Sequence, residues 1–61
     1  MFNPGSLVRC KLLSGIYTPL GLIIRKANIA EYEVLVMHDR YDGPERQYVQ
    51  TKDLEFINES R

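Results

Sequence analysis

The longest strand-like run in the chain is Tyr32-Glu33-Val34-Leu35-Val36-Met37-His38. Its aromatic and β-branched residues occupy every second position, so the first, third and fifth residues share one face. This two-residue period is typical of a β-strand that packs one face onto a core. The opposite face is itself half apolar, because Leu35 and Met37 accompany Glu33. We therefore expect a central strand rather than an edge strand.

Four more strand-like segments accompany this run, separated by turn-forming residues such as Gly15, Pro19 and the pair Gly43-Pro44. No segment has the spacing of an amphipathic helix, and the short 51–53 segment predicts one tight turn. Five short strands favour a small all-β barrel, because closing the sheet removes vulnerable edges. We expect a single domain over 1–61 with a polar tail at 58–61. The other predicted strands are Leu7–Leu13, Gly21–Lys26, Arg46–Gln50 and Leu54–Ile57.

The alternation also predicts which side chains fill the core. They are Val8, Cys10, Leu12, Ile24, Val34, Val36, Val49, Leu54 and Ile57. With 61 residues and one cysteine, the chain has no internal disulfide to support so small a core. Some apolar side chains should remain uncovered, which predicts self-association into a homo-oligomer. These side chains are Ile16, Leu20, Ile23, Leu35 and Met37.

Composition and charge exclude several classes of protein. The 44% hydrophobic and 26% charged content is that of a globular domain rather than a disordered one. Eight basic residues balance eight acidic ones, so net charge gives no support for a general electrostatic attraction to nucleic acid or to an anionic membrane. The N-terminus lacks a basic segment followed by an apolar one, and we expect a soluble, cytoplasmic protein.

The order of these segments resembles a known group of proteins. Pro4-Gly5-Ser6-Leu7-Val8-Arg9-Cys10 is similar to the first strand of SH3-like barrels, and Gly21-Leu22-Ile23-Ile24 to the second. Tyr-Glu-Val-Leu-Val follows, then Tyr48-Val49 and the closing 53–57 segment. The whole looks like the very short SH3-like proteins of tailed bacteriophages, including those that infect marine cyanobacteria. The resemblance implies a small five-stranded SH3-like barrel, in the host cytoplasm if phage-encoded.

The chain departs from the SH3 domains of signalling proteins. Those domains carry an acidic, tyrosine-rich loop after the first strand and a tryptophan that forms the groove for proline-rich ligands. Here the 14–20 loop has one tyrosine and no acid, and the chain has no tryptophan. Polyproline recognition needs an aromatic-lined groove, so it is not expected. The chain is also remotely similar to the barrels of KOW modules, whose basic surface it lacks.

Catalytic and metal-binding residues are sparse. Cys10 with His38 could form a nucleophile and its base, but the apolar residues at i±2 favour Cys10 as a small core residue. The lone His38 is weak evidence for a metal site and fits a partly exposed polar residue. The acidic turn 39–45 lacks the spacing of a calcium loop. We expect no enzyme, no cofactor and no metal.

Two functions remain from different classes. The first is a non-catalytic interaction module, a phage-type accessory protein that binds a protein partner or itself. Tyrosine and arginine are favoured at interface hot spots, so its predicted partner-binding residues are Tyr17, Arg40, Tyr41, Arg46 and Tyr48. The alternative is nucleic-acid binding through a local basic face like that of KOW modules. That face would comprise Arg9, Lys11, Arg25 and Lys26.

Overall fold

The computed structural model describes residues 2–38 and 43–57. This part of the chain forms five antiparallel strands and a single 3-10 turn. The predicted small all-β fold of five strands is confirmed, and its single antiparallel sheet is consistent with a small five-stranded barrel-like fold. The tight turn at Thr51–Asp53 is also confirmed. The strands are β1 (Leu7–Cys10), β2 (Leu20–Lys26), β3 (Glu31–Met37), β4 (Glu45–Gln50) and β5 (Leu54–Phe56).

The strands follow the order β4-β3-β2-β1-β5 across one sheet. The first four therefore lie beside their neighbours in sequence, and the 3-10 turn after β4 returns the chain so that β5 pairs with β1. The strand β3 lies between β2 and β4, which confirms the prediction of a central strand. We call the face that carries Val34 and Val36 the inner face, and the face that carries Glu33 and Leu35 the outer face.

The inner face holds the core. Its buried apolar residues come from all five strands: Val8, Cys10, Ile23, Tyr32, Val34, Val36, Val49 and Leu54. Leu12 is half-buried and packs against this cluster, together with Phe2. Two predicted core positions are wrong: Ile24 and Ile57 are only half-buried. Ile57 follows the last residue of β5, so no strand holds its side chain against the core.

The register of β2 against β3, which contains a β-bulge at Ile24, explains the error in β2. The register pairs Ile23 with Val34 and Arg25 with Glu33, so Ile24 is an extra residue between two paired positions. Two residues of β2, Ile23 and Ile24, therefore occupy the length that a single residue of β3 occupies. Every residue of β2 after the bulge points to the face opposite to the one that regular alternation would give it. The buried residue is Ile23, at 2% exposure, so the prediction that Ile23 is left uncovered is also wrong.

Gly21 allows β2 to approach the core closely. A Cβ atom built at this position would lie 2.7 Å from Val34 Cγ1 and 2.8 Å from Cys10 Sγ. Both distances are too short for real contacts, and both neighbours are fully buried core side chains. The close packing of β1, β2 and β3 therefore depends on the absence of a side chain at Gly21.

The first strand is shorter than predicted, ending at Cys10 rather than Leu13. Leu13 and Ser14 have φ angles of 52° and 58°, in the left-handed region that a β-strand cannot contain. Main-chain bonds between Leu12 and Tyr17, at 2.8 and 3.2 Å, close this turn as a miniature hairpin. The loop therefore has a defined conformation, and it holds Tyr17 beside the end of β3.

Candidate interaction surface

A buried carboxylate lies in the middle of the outer face. Glu33 is only 5% exposed, although it is charged. Arg25 Nε lies 2.7 Å from Glu33 Oε1, and Arg46 Nε lies 3.3 Å from Oε2. Both carboxylate oxygens are thus paired, which is what a buried charge requires.

Strand register assembles this group from three strands. Arg25 of β2 and Tyr48 of β4 are the cross-strand partners of Glu33 on its two sides. Arg46 precedes Tyr48 by two residues and therefore lies on the same face. Arg25 Nη2 also lies 3.4 Å from the Tyr48 hydroxyl. We call these four residues the arginine cluster.

The bulge at Ile24 makes the arginine cluster possible. Without it, Ile24 would lie opposite Glu33, and Arg25 would point to the inner face opposite Tyr32. The extra residue returns Arg25 to the outer face, where its guanidinium reaches the carboxylate. Bulges commonly redirect a side chain in this way.

Apolar side chains continue the outer face beyond the cluster. The register places Leu7, Leu22 and Leu35 in one row across three strands, and Leu20 beside Met37 in the next. Leu7, Leu20 and Met37 are 37%, 36% and 38% exposed, and the other two are half-buried. We call these five residues the apolar stripe. Large apolar side chains grouped on a surface are typical of interaction sites.

The structure divides the predicted partner-binding residues between two places. Arg46 and Tyr48 lie together in the arginine cluster, with 68% of the Arg46 side chain exposed. Tyr17 lies elsewhere, against His38. Arg40 and Tyr41 lie outside the described residues.

The residues of the predicted basic face are also separated. Arg9 lies on the outer face opposite Leu20, at one end of β2, whereas Arg25 and Lys26 are at its other end. Five residues of extended strand separate these ends by roughly 15 Å. Lys11 is exposed just beyond β1, near Arg9. The four residues thus form two separate groups, and Arg25 is paired with a carboxylate.

His38 is the centre of a second group of polar side chains, beside the β1–β2 loop. Its ring stacks against Tyr17 at a centroid distance of 5.6 Å, and its Nδ1 lies 2.9 Å from the Tyr17 hydroxyl. Its Nε2 lies 3.2 Å from Glu45 Oε1 and 3.4 Å from Gln47 Nε2. The residue as a whole is half-buried, but its side chain is only 5% exposed, so the exposed part is main chain. This group joins the loop to β4.

An open groove of about 440 Å³ lies beside this group. Leu12 and Leu13 form its apolar wall, while Glu45 and Gln47 form its polar wall. Every polar atom of the groove named above already contacts another side chain of the chain. The group therefore serves to hold the loop against β4.

Cys10 is placed as a core residue. It is fully buried, and burial raises the pKa of its thiol to about 11. A thiol with this pKa stays protonated at neutral pH, whereas the thiolate is the nucleophile. Among residues 2–38 and 43–57, no three histidine, cysteine, aspartate or glutamate side chains come together as a metal-binding group.

Sequence reasoning did not select Glu33 as a site residue. One signal was present: a single acidic residue in a central strand whose neighbours are apolar must find a positive partner. The sequence did not reveal which arginines would supply the charge, because Arg25 and Arg46 come from two other strands.

Comparisons with known proteins add no relative. No family model, curated protein or solved structure matches the chain. In the part of the chain that the structure describes, there is no helix of the length and apolarity needed to cross a membrane.

Proposed function

We propose that the protein is a non-catalytic interaction module that binds a protein partner on the outer face of its sheet. The observation that supports this proposal is the apolar stripe bordered directly by the arginine cluster. Protein interfaces combine an apolar centre with a polar rim in which arginine and tyrosine are enriched. The outer face has both parts on adjacent strands of a rigid sheet.

The arginine cluster favours a particular partner chemistry. Arg25 and Arg46 share one carboxylate, so the cluster carries one unbalanced positive charge. Their side chains are 55% and 68% exposed, which leaves guanidinium donors available to a second carboxylate. The partner that fits is a protein segment with an acidic side chain near apolar ones. The apolar side chains would lie on the stripe and the acidic one on the cluster.

Nucleic-acid binding is the second candidate and is less well supported. A phosphate backbone needs several lysine or arginine side chains along its path. Arg9 and Lys11 are separated from Arg25 and Lys26 by Leu7 and Leu22 of the apolar stripe. An apolar band between two small basic groups suits a protein surface better than a polyanion.

Selection from a library of random peptides displayed on phage would test the proposal. The expected peptides contain aspartate or glutamate close to leucine, isoleucine or phenylalanine. A synthetic peptide from this set should bind the double variant Arg46→Ala/Tyr48→Ala at least about 30-fold more weakly, the loss expected if both residues are hot spots. Fluorescence polarisation with the labelled peptide measures this change.

A matched pair of variants separates the apolar stripe from general surface hydrophobicity. Met37→Ser removes an apolar side chain from the stripe, and Ile16→Ser removes one that is 86% exposed on the β1–β2 loop. Only Met37→Ser should weaken peptide binding. Equal binding by both variants, or selected peptides without acidic residues, would refute the proposed site. Salt-dependent binding of a short DNA duplex instead would support the nucleic-acid alternative.

A further inference from the structure

The two edges of the sheet differ in length. The strand β5 forms one edge with three residues, while β4 forms the other with six. Among the described residues, β4 pairs only with β3, and none donates or accepts a main-chain hydrogen bond on its free side. A strand edge of this length presents a row of unpaired N–H and C=O groups.

The usual protection of an edge strand is largely absent from β4. Its sequence, Glu-Arg-Gln-Tyr-Val-Gln over 45–50, contains no proline, glycine or lysine. Its register with β3 is continuous, so no bulge twists the edge away. Charge is confined to Glu45 and Arg46, which leaves the four residues from Gln47 to Gln50 neutral. Such an edge can accept another strand.

We propose that β4 of one copy pairs with β4 of a second copy in antiparallel orientation, forming a two-fold symmetric dimer. The inference goes beyond partner binding on the outer face and does not depend on it. A second copy suits the edge because β4 is complementary to itself when reversed. The chain has formal net charge +0, so two copies have no long-range charge repulsion to overcome.

Side-chain alternation restricts the register. Paired residues of a continuous sheet share a face, so outer-face residues must lie opposite outer-face residues. Two registers satisfy this rule near the middle of β4. In the first, Gln47 lies opposite Gln47, which places Arg46 opposite Tyr48 and Glu45 opposite Val49. In the second, Tyr48 lies opposite Tyr48, and Arg46 lies opposite Gln50.

Neither register places like charges opposite each other. Arginine faces tyrosine or glutamine, and Glu45 faces an uncharged residue or none. Like charges directly opposite would weaken a strand pair, whereas aromatic and hydrogen-bonding pairs strengthen it. Both registers also place the two outer faces on the same side of the joined sheet. The two arginine clusters would then lie side by side across the symmetry axis.

Sedimentation equilibrium of the full chain from about 1 to 500 µM tests the proposal, a range that covers the affinity expected of a short strand pair. The wild type should show a concentration-dependent monomer–dimer equilibrium. Tyr48→Lys should raise the dimer Kd at least about tenfold, because lysine faces Arg46 in the first register and another lysine in the second. Ile16→Lys introduces the same charge on the β1–β2 loop and should leave the Kd unchanged.

A charge reversal distinguishes the two registers. In the double variant Arg46→Glu/Tyr48→Lys, the first register places glutamate opposite lysine and should restore the dimer. The second register still places lysine opposite lysine, so the variant should stay monomeric. The new lysine is also the cross-strand neighbour of Glu33, which keeps a positive charge beside that carboxylate.

Hydrogen exchange of the wild type provides a readout that needs no variant. Main-chain amides of β4 should exchange more slowly at high than at low protein concentration, while those of β5 should not change. A wild type that remains monomeric throughout, or a folded Tyr48→Lys that dimerises as before, would overturn the proposal. Met37→Ser should dimerise normally, so loss of peptide binding and loss of dimerisation can be told apart.

Discussion

The two faces of β3 are stabilised by different kinds of interaction. Val34 and Val36 on the inner face are fully buried among other apolar side chains. Glu33, which precedes Val34 in the sequence, is almost as deeply buried on the outer face, but beneath two arginine side chains. One strand therefore carries an apolar core on one side and a paired buried charge on the other.

The two faces therefore differ in how precisely their side chains must be positioned. Apolar burial is non-directional, so the inner face requires only side chains of suitable size. A buried carboxylate requires positive partners at defined positions, because a missing partner leaves a charge out of water. The inner face should therefore contribute most of the stability. The outer face should depend more on strand register.

The largest expected effect is a loss of unfolding free energy, and it should differ between two neighbouring isoleucines. Ile23→Ala removes a fully buried side chain and should cost about 2–5 kcal/mol of unfolding free energy, comparable with the whole stability of so small a core. Ile24→Ala, at the bulge, should cost about 1 kcal/mol because its side chain is only half-buried. Urea denaturation measures both values. An equal or larger cost at Ile24 would contradict the register that places Ile23, and not Ile24, on the inner face.

Alkaline pH should destabilise the inner face through Cys10. Burial raises the pKa of its thiol from 9.0 to about 11, so the thiol ionises more readily in the unfolded chain. The protonated Cys10 thiol therefore contributes up to about 2.5 kcal/mol to the unfolding free energy. This contribution is complete below pH 9 and is lost as the pH rises toward 11. Urea denaturation at pH 8 and 10.5 should show this loss.

Cys10→Ala provides the control for the pH effect. Tyrosine and lysine side chains also titrate in this range, so the relevant quantity is the difference between the two proteins. The variant should start less stable at pH 8 but lose less stability by pH 10.5. Parallel pH dependence in both proteins, or rapid reaction of the native thiol with a labelling reagent, would show that Cys10 is accessible.

The smallest effect tests the outer face. Arg25→Ala/Arg46→Ala leaves the Glu33 carboxylate without its cations and should cost about 1–2 kcal/mol, since an unpaired buried group is destabilising. Both arginines are more than half exposed, and this exposure limits the loss. Adding Glu33→Met should restore stability, because no buried charge then remains.

Arg9→Ala is the matched control for that pair of substitutions. Arg9 lies on the same face, and its guanidinium donates to the Thr18 main-chain oxygen, at 3.0 Å, while it pairs with no carboxylate among residues 2–38 and 43–57. Its removal should change stability by no more than about 0.5 kcal/mol. An equal loss for Arg9→Ala, or no recovery with Glu33→Met, would show that the arginines act through apolar covering rather than charge.

Much of the fold could be predicted because it follows from local pattern. The five strands, the central place of β3, the tight turn at 51–53 and the burial of Cys10 are confirmed. Each depends on residues close together in the sequence. The candidate surface was predicted only in part: Arg46 and Tyr48 were selected for their residue types, while Glu33 and the apolar row formed by Leu7, Leu22 and Leu35 were not. Their importance depends on which strands become neighbours.

The amino-acid sequence alone determined the fold class, the inner face of β3 and most of the core, since the alternation of side chains is a property of each strand by itself. It did not determine that Ile23 rather than Ile24 would be buried, or that Arg25 would reach Glu33. The pairing register of β2 with β3 decided the first outcome, because it places Ile23 opposite Val34 on the inner face, and a bulge in that register decided the second. A bulge depends on hydrogen bonding between two strands, so it arises only when the strands pair, and its position decided which charges meet on the outer face.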